Sequence, residues 1–444
     1  MDIKIPRYVT AVIEILEQNG YEAYIVGGCV RDAMMGVEPH DYDVCTDCTP
    51  DDMVKIFSGF HTIETGLKHG TLTVMSEHMP VEVTTYRSDG EYTDHRRPDS
   101  VKFETDLKED LKRRDFTVNA MCFNPKNGTV DLFDGRNDLN EKVIRCVGNA
   151  EDRFDEDALR IMRALRFAST LDFRIEEYTA AAMRKKSHLL NAISAERIFS
   201  ELKKLLCGKA VCRIMLEYSD IIGVILPEII PCIGCEQNNI HHCYDVYEHI
   251  CHSIKYIEAD EDLRLTMLFH DIGKPQKKVT DDDGVDHFKL HQLCSGDIAE
   301  DVLTRLKSSN KTLKRVRSLV IEHDNRIYPK RRSVKRFISK YDHEFYVDWL
   351  KVRRADTLAQ SEYMRAEKLA ELDQLEKLGE EIKEEMCCLK TTDLAINGHD
   401  VIALGFKGAE IKNALNAALD AVIDEVIENE RDALLGYLKE NFNA

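Results

Sequence analysis

Asp41 and Asp43, one residue apart in HDYDVCT, have the types and spacing for metal chemistry. In an extended segment, residues i and i+2 project from the same face, so both carboxylates stand together. Two ionised carboxylates at such a distance repel unless a cation lies between them. A hard divalent ion such as Mg²⁺ takes oxygen ligands and leaves positions free for phosphate oxygens. Two such ions about 4 Å apart could hold an attacking hydroxyl and a leaving pyrophosphate in line. A third carboxylate usually completes the site, and Asp110 in EDLKRRDF offers one. The Gly27-Gly28 turn would let the backbone approach a triphosphate closely. Arg31 could supply a charged donor to it.

A second constellation is RFDEDALRIMRALRFA, residues 153–168. Ala158, Ile161, Met162 and Leu165 recur at i, i+3, i+4 and i+7, the stripe of a core-facing helix. Glu156, Asp157, Arg160 and Arg163 fall on the other side, with Arg166 at its edge. Glu156 and Arg160 have the spacing of a solvated ion pair. The sharper reading concerns base choice. Cytosine and adenine both present an amino donor beside a ring-nitrogen acceptor. A carboxylate only accepts and a guanidinium only donates. An Asp-Arg pair could therefore take CTP and ATP and leave UTP and GTP with unpaired groups, which is costly in a buried site.

Histidines form the third group: His249, His270-Asp271 within FHDIGKP, His291, and His323-Asp324. Imidazole nitrogens and carboxylate oxygens together suit a transition metal. Cys45/Cys48 and Cys232/Cys235 have C-x-x-C spacing, with His241, His242 and Cys243 after the second pair. No second pair lies at ribbon spacing, so reduced thiols are the expectation over zinc.

Elements must hold these groups. Residues 8–19 predict an amphipathic helix with Val9, Val12, Ile13 and Leu16 on one side. YEAYIVGG reads as a strand ending in a glycine turn, and DYDVCT, GTLTVMS and VEVTTYR as further strands. From about residue 150 the pattern is helical almost throughout. Boundary candidates are the Pro and Gly positions around 223–234 and the polar stretch near 340. The chain has 444 residues and 43% hydrophobic residues, an ordinary globular composition. No apolar run reaches the roughly 18 residues that cross a bilayer, and no secretory signal is seen, so a cytoplasmic protein with reduced thiols is expected. A net charge of −19 argues against indiscriminate nucleic-acid binding. A basic track at 311–340 is read first as solvated helix faces.

Residues 27–44, GGCVRD…HDYDV, resemble the signature of the DNA polymerase β nucleotidyltransferase superfamily. More closely, they are similar to the bacterial-type (class II) tRNA nucleotidyltransferase and poly(A) polymerase family. RRDFTVNAM (113–121), RFDEDALRIMRALRFA and SAERIFSEL (194–202) resemble that family's second, fourth and fifth motifs, in order. The resemblance implies an α+β fold. A small polymerase-β-like head of mixed sheet and helices would span 1–150, and an all-α nucleotide-recognition neck 151–222. A helical body would span 223–340 and a tRNA-binding helical tail 341–444. It implies Asp41, Asp43 and Asp110 as catalytic carboxylates with Mg²⁺. Gly28, Arg31, Arg114, Asp157, Arg160, Arg163 and Arg166 would hold the nucleotide, and Asn119 the sugar. The body's H…HD pattern resembles the HD phosphohydrolase superfamily. His249, His270 and Asp271 match its first ligands for a second, transition-type metal. Asp324 is the expected last ligand, with His291 and His323 as second choices.

The implied activity is addition of CMP, CMP and AMP to the tRNA 3′ end from CTP and ATP. The loop YTDHRRPDS (92–100) resembles an element of CCA- and A-adding members. INGHDVIALGFKGAEI (396–411) resembles the tail that meets the outer part of tRNA. A-only addition, poly(A) addition, and an RNA-binding sensor with an inactive head and a working HD hydrolase are the alternatives. Oligomeric state leaves no mark in the sequence.

Overall fold

The computed structural model describes residues 3–89, 101–385 and 387–442. The chain divides into two compact units, Met1–Pro227 and Glu228–Ala444. The loop at 92–100 lies outside the described residues.

The first unit opens with a helix, Arg7–Gln18, whose buried face is Val9, Val12, Ile13 and Leu16, the expected stripe. Its sheet uses β1 (Ala23–Val26), β2 (Asp43–Thr46), β3 (His61–Ile63), β4 (Thr71–Ser76) and β5 (Met79–Thr85). A separate pair, β6 (Arg87–Asp89) and β7 (Val101–Phe103), follows. β8 (Met121–Asn124) and β9 (Gly128–Asp131) complete the main sheet. The order is β3-β4-β5-β2-β1-β8-β9. β2 and β5 run parallel, while β1 is antiparallel to both β2 and β8. This mixed sheet followed by helices is the expected fold class. Central strands β1 and β8 are buried along their whole length, as continuous apolar runs require.

Beyond residue 150 the elements are almost all helices. The expected single helix over 153–168 is two: Ala150–Glu156 and Leu159–Leu171. Asp157 breaks it with an extended backbone, and its carboxylate accepts the Leu159 N–H at 3.0 Å. Aspartate favours such local bonding over a helix interior. Ile161, Met162 and Leu165 still face the core.

In the second unit, the helices Val246–Tyr256, Glu261–Phe269, Asn310–Glu322 and His343–Ala359 pack on one another. The expected boundary at 340 therefore cuts through one packed body. Trp349 is the anchor there: it is buried, and its indole N–H donates to the Glu322 carbonyl at 2.8 Å. Close packing reaches Gly379, where an added Cβ would lie 2.4 Å from the Tyr346 ring. The last fifty residues have their own small core of Leu394, Val401, Ala414, Ala418, Leu434 and Leu438.

The basic track at 311–340 is largely paired internally. Arg315 meets Asp348, Arg317 meets Glu300, Arg332 and Arg336 meet Asp424, Lys335 meets Glu425, and Lys340 meets Glu322. Pairs of this kind contribute only about 0–1 kcal/mol each when exposed. Each of these cations nevertheless has an acidic partner within the chain.

Candidate active site and a buried histidine cluster

Asp43 is the first residue of β2, and Asp41 lies just before the strand. Tyr42 between them is buried while both aspartates are exposed, so the carboxylates do share a face. The parallel register sets Asp43 directly beside Glu82 on β5, also exposed. Crowding by surrounding head atoms desolvates the Asp43 carboxylate although it still reaches water. With the like charges of Glu82 and Asp41, this pushes its pKa up to about 6, against the pull of Arg114. A group of acids that resists its own ionisation suits a cation.

Glu82 is the acid that the sequence reading missed. The alternation in VEVTT puts it on the solvent face, but only the β2–β5 pairing brings it to Asp43. Asp110, the expected third carboxylate, is engaged elsewhere. It is fully buried and accepts from Arg113 at 2.9 Å and Arg114 at 3.3 Å, with the Arg87 backbone N–H at 3.4 Å. Burial disfavours its charge, but Arg114 and Arg113 outweigh that and hold its carboxyl below the usual range. Asp110 thus positions arginines. Arg114, so held, lies against the glycine turn: a Cβ on Gly27 would sit 2.9 Å from Nη1. Gly27 also has φ +84°, which only glycine adopts without cost. Gly28 opens the next helix, Gly28–Met34, and has no comparable constraint.

That helix delivers Arg31. Its Nη1 donates to Asn119 Oδ1 at 2.6 Å, and Asn119 Nδ2 donates to Asp115 Oδ1 at 3.1 Å. Asp115 Oδ2 accepts from Arg163 at 2.6 Å. Burial works against the Asp115 charge, yet Arg163 and Asn119 lower its pKa to about 2. Three guanidiniums gather around the Phe167 ring: Arg166 at 4.0 Å from its centroid, Arg31 at 5.2 Å and Arg163 at 5.4 Å. Each contact is worth roughly 0.5–2 kcal/mol. A shared aromatic platform lets three like charges coexist in one place. Glu201 balances Arg166 at 3.2 Å. So Arg31, Asn119, Arg163 and Arg166 are brought together. Asp115 and Phe167, which tie them, had no role in the sequence reading.

Asp157 and Arg160 sit at the helix break. The Asp157 carboxylate pairs with Arg197 at 2.7 Å, and Arg197 belongs to SAERIFSEL. Arg160 is buried, pairs with Glu156 at 2.6 Å, and donates to the carbonyls of Arg153 and Arg113 at 3.1 Å each. The Glu156–Arg160 ion pair is therefore real, and it orients Arg160. Both candidate base readers are held in place by a second charged group.

The second unit carries a separate cluster. His249, His270, Asp271 and Asp356 are all buried, with ligand atoms close enough to share one ion. His249 Nε2 lies 3.1 Å from His270 Nε2, 3.2 Å from Asp271 Oδ2 and 3.1 Å from Asp356 Oδ1. Asp356, rather than Asp324, is thus the second acid of this group. Asp324 is half exposed and 4.0 Å from Arg353, outside the cluster. It follows His323 at a helix end, where the imidazole turns inward and the next side chain turns out. Asp356 is far away in sequence, on the helix His343–Ala359 that packs on Val246–Tyr256. His291 and His323 join Asp271 in a second group. Among the described residues no cysteine joins a metal-ligating group. Cys45, Cys48 and Cys232 are buried thiols, and burial pushes Cys48 up to about 12.

Comparison with known proteins follows the same layout. Residues 23–145 match the "Poly A polymerase head domain" family, and 172–233 the "Probable RNA and SrmB- binding site of polymerase A". Residues 289–438 match domain 2 of tRNA nucleotidyltransferase. The CCA-adding enzyme of Lactococcus lactis subsp. cremoris is 55% identical over 200 residues, 44% of this chain and 49% of the relative. That of Oceanobacillus iheyensis is 46% identical over 229 residues, 52% of this chain and 56% of the relative. The matched stretch spans about half the length of these curated relatives. The crystal structure of Bacillus stearothermophilus CCA-adding enzyme with CTP covers 99% of this chain and 98% of its own, at 28% identity and a TM-score of 0.75. A Thermotoga maritima CCA-adding enzyme complexed with tRNA shares the fold at 20% identity and a TM-score of 0.59. With these matches falling in order along a chain whose head carries the paired aspartates and gathered arginines, the protein belongs to the bacterial-type tRNA nucleotidyltransferase and poly(A) polymerase family.

Proposed function

We propose that this chain adds CMP, CMP and AMP to the 3′ end of tRNA, using CTP and ATP and releasing pyrophosphate. The observation that carries the reading is the pairing of Asp41, Asp43 and Glu82 with arginines that the same fold preorganises. Nucleotidyl transfer in this family depends on a divalent cation. The hard oxygen donors of Asp41 and Asp43, with Glu82 beside them, fit Mg²⁺. Bound there, it would lower the cost of ionising the RNA 3′-hydroxyl and offset charge on the α-phosphate.

The protein's own groups do the rest. Arg114, held by Asp110, and Arg31, Arg163 and Arg166, gathered at Phe167, offer guanidinium forks to a triphosphate. Asp157 accepts from the amino group of C or A, and Arg160 donates to the adjacent ring nitrogen. The 3′-hydroxyl gives its proton to solvent as its oxygen bonds to the α-phosphorus, and the bond from that phosphorus to the bridging oxygen breaks, so that pyrophosphate leaves. Catalysis here is mostly positioning and charge stabilisation.

tRNA is the proposed partner, with the tail, including 396–411, against its outer part. No helix among the described residues is long and apolar enough to cross a membrane, and the cytoplasm is the proposed site of action. Incubation of tRNA lacking its 3′ end with CTP and ATP, resolved residue by residue on a gel, tests this. Three added residues are expected. Addition of A alone, or of long A tails, would move the assignment within the family.

A second reading concerns the body. His249, His270, Asp271 and Asp356 suit one divalent transition metal, which would support a phosphohydrolase activity there. Their ligand atoms lie mostly 3.1–3.3 Å apart. Donors at about 2.1 Å from one ion are separated by about 3.0–3.4 Å. Retention of metal by the purified chain, lost in His249→Ala, tests it.

A further inference from the structure

The basic track at 311–340 ends in the helix Arg331–Lys340, RRSVKRFISK. Val334, Phe337 and Ile338 are its buried apolar face. Arg331, Arg332, Lys335 and Arg336 recur at i, i+1, i+4 and i+5, so they line one stripe of the helix. Lys335 is mostly covered, but Arg332 and Arg336 keep 57% and 52% of their side chains exposed although both are ion-paired. Like charges four apart on a helix repel one another, so this stripe needs anions.

The anions come from the end of another helix. Arg336 donates to Asp424 at 2.7 Å, and Arg332 pairs with the same carboxylate. Glu425 lies 2.7 Å from Lys335 and 3.4 Å from Arg331. Both acids follow the helix Ala409–Ile423, with Asp424 as its C-cap. Local preferences oppose both. A helix C-terminus carries partial negative charge and favours cations over carboxylates. Glu425 has φ +59°, in the left-handed region that glycine or asparagine enters at least cost. Where adjacent residues break local rules, something distant compensates, and here it is the cationic stripe. Ion pairs that reach solvent are individually weak, so this contact is open to exchange. Two carboxylates in a row occupy the stripe as two neighbouring phosphates would.

We propose that Arg331, Arg332, Lys335 and Arg336 form a binding stripe for the phosphate backbone of the RNA substrate, and that Asp424 and Glu425 occupy it as an internal competitor until RNA displaces them. The inference rests on tRNA being the substrate and adds to it a surface and the mask over that surface. Guanidiniums take phosphate in the same forked geometry that they use on carboxylates. An RNA strand carries more charge than two carboxylates and releases condensed counterions on contact, so it wins the exchange. A ligand with a single phosphate must break several ion pairs to gain as many, so the mask favours long polyanions over short ones. The segment that carries the two acids has its own small core, with Ala418, Leu419 and Ile423 in it. Opening the contact therefore moves a folded piece rather than unfolding it.

Equilibrium binding of tRNA lacking its 3′ end to the full chain, measured by filter retention across a KCl series, tests this. Two variants break the Asp424 pairs from opposite sides. Asp424→Asn/Glu425→Gln unmasks the stripe and should lower the tRNA Kd about tenfold. Arg332→Gln/Arg336→Gln removes the exposed part of the stripe. It should raise the Kd about tenfold and flatten the logarithmic salt slope by about two. Glu371→Gln/Glu380→Gln, at two exposed acids of the helix Arg365–Glu384, removes the same charge as the first variant and should bind within about twofold of wild type. If the pairs serve only to hold the structure together, the first two variants move the Kd in the same direction, and the proposal fails. It fails too if the first variant matches the charge control. A wild-type chain that binds no tRNA sinks the proposed substrate as well, whereas tRNA binding without the opposed shifts sinks the masked stripe alone.

Discussion

Asp110→Asn separates two roles that the sequence could not. The substitution keeps the shape and removes the charge. It leaves Arg113 and Arg114, each with about four-fifths of its side chain covered, beside a neutral amide. Removing one partner of a buried ion pair costs about 3–5 kcal/mol. Here the amide oxygen still accepts one bond, which places the cost at the lower end, about 3 kcal/mol. For a folding unit of this size, about 2–4 °C of melting temperature follows each kcal/mol, so a drop of about 6–12 °C is expected. Thermal unfolding by circular dichroism measures it. In parallel, CMP incorporation is titrated with Mg²⁺. If Asp110 acts on arginines, the half-saturating Mg²⁺ concentration stays within about twofold of wild type, while the CTP KM rises because Arg114 is loosened. Asp43→Asn should behave oppositely, with little loss of stability and loss of activity. A variant Asp110→Asn that melts like wild type but needs tenfold more Mg²⁺ would show that Asp110 is a metal ligand and that the geometric argument is wrong.

Glu82→Gln, by contrast, should raise the half-saturating Mg²⁺ concentration roughly tenfold or more, since a carboxylate beside Asp41 and Asp43 is lost; an unchanged titration removes Glu82 from the site. Gly27→Ala should cost about 1–2 kcal/mol in stability from its positive φ alone and should also weaken CTP binding by pushing on Arg114; isothermal titration with CTP reads the second effect. Asp115 has a carboxyl pKa lowered to about 2 in the folded chain, so its contribution is fully present above about pH 4 and fades as the pH falls toward 2. Asp115→Asn should therefore be less stable by about 2 kcal/mol at neutral pH, and the gap should shrink below pH 4 in denaturant titrations. Arg197→Ala frees the Asp157 carboxylate, and discrimination of CTP against UTP should fall about 10–100-fold, measured as the ratio of kcat/KM values.

Much of the head was legible in the residues themselves. The HDYDV alternation put Asp41 and Asp43 on one face because strand side chains alternate, and Tyr42 between them is indeed buried. The GG turn before Arg31 was legible because a positive φ demands glycine. The helical stripe of Ile161, Met162 and Leu165 held even though the helix breaks at Asp157, since the break sits at the polar end of the stripe. HD followed by further histidines pointed to the residues that cluster in the second unit, since His249, His270, Asp271, His291 and His323 are all buried there.

Partners brought together by packing were not legible. Glu82 reaches Asp43 only through a parallel pairing of strands separated by a helix and a hairpin. Asp110 looked free in EDLKRRDF until the fold turned it inward onto two arginines that follow it in the chain. Asp356 replaces Asp324 because a helix from beyond the expected boundary packs against His249. Periodicity and turn chemistry are written in neighbouring residues, since backbone geometry acts over a few positions. Which distant acid shares a cation with which histidine depends on how whole elements pack, and one carboxylate reads like another until that packing is known.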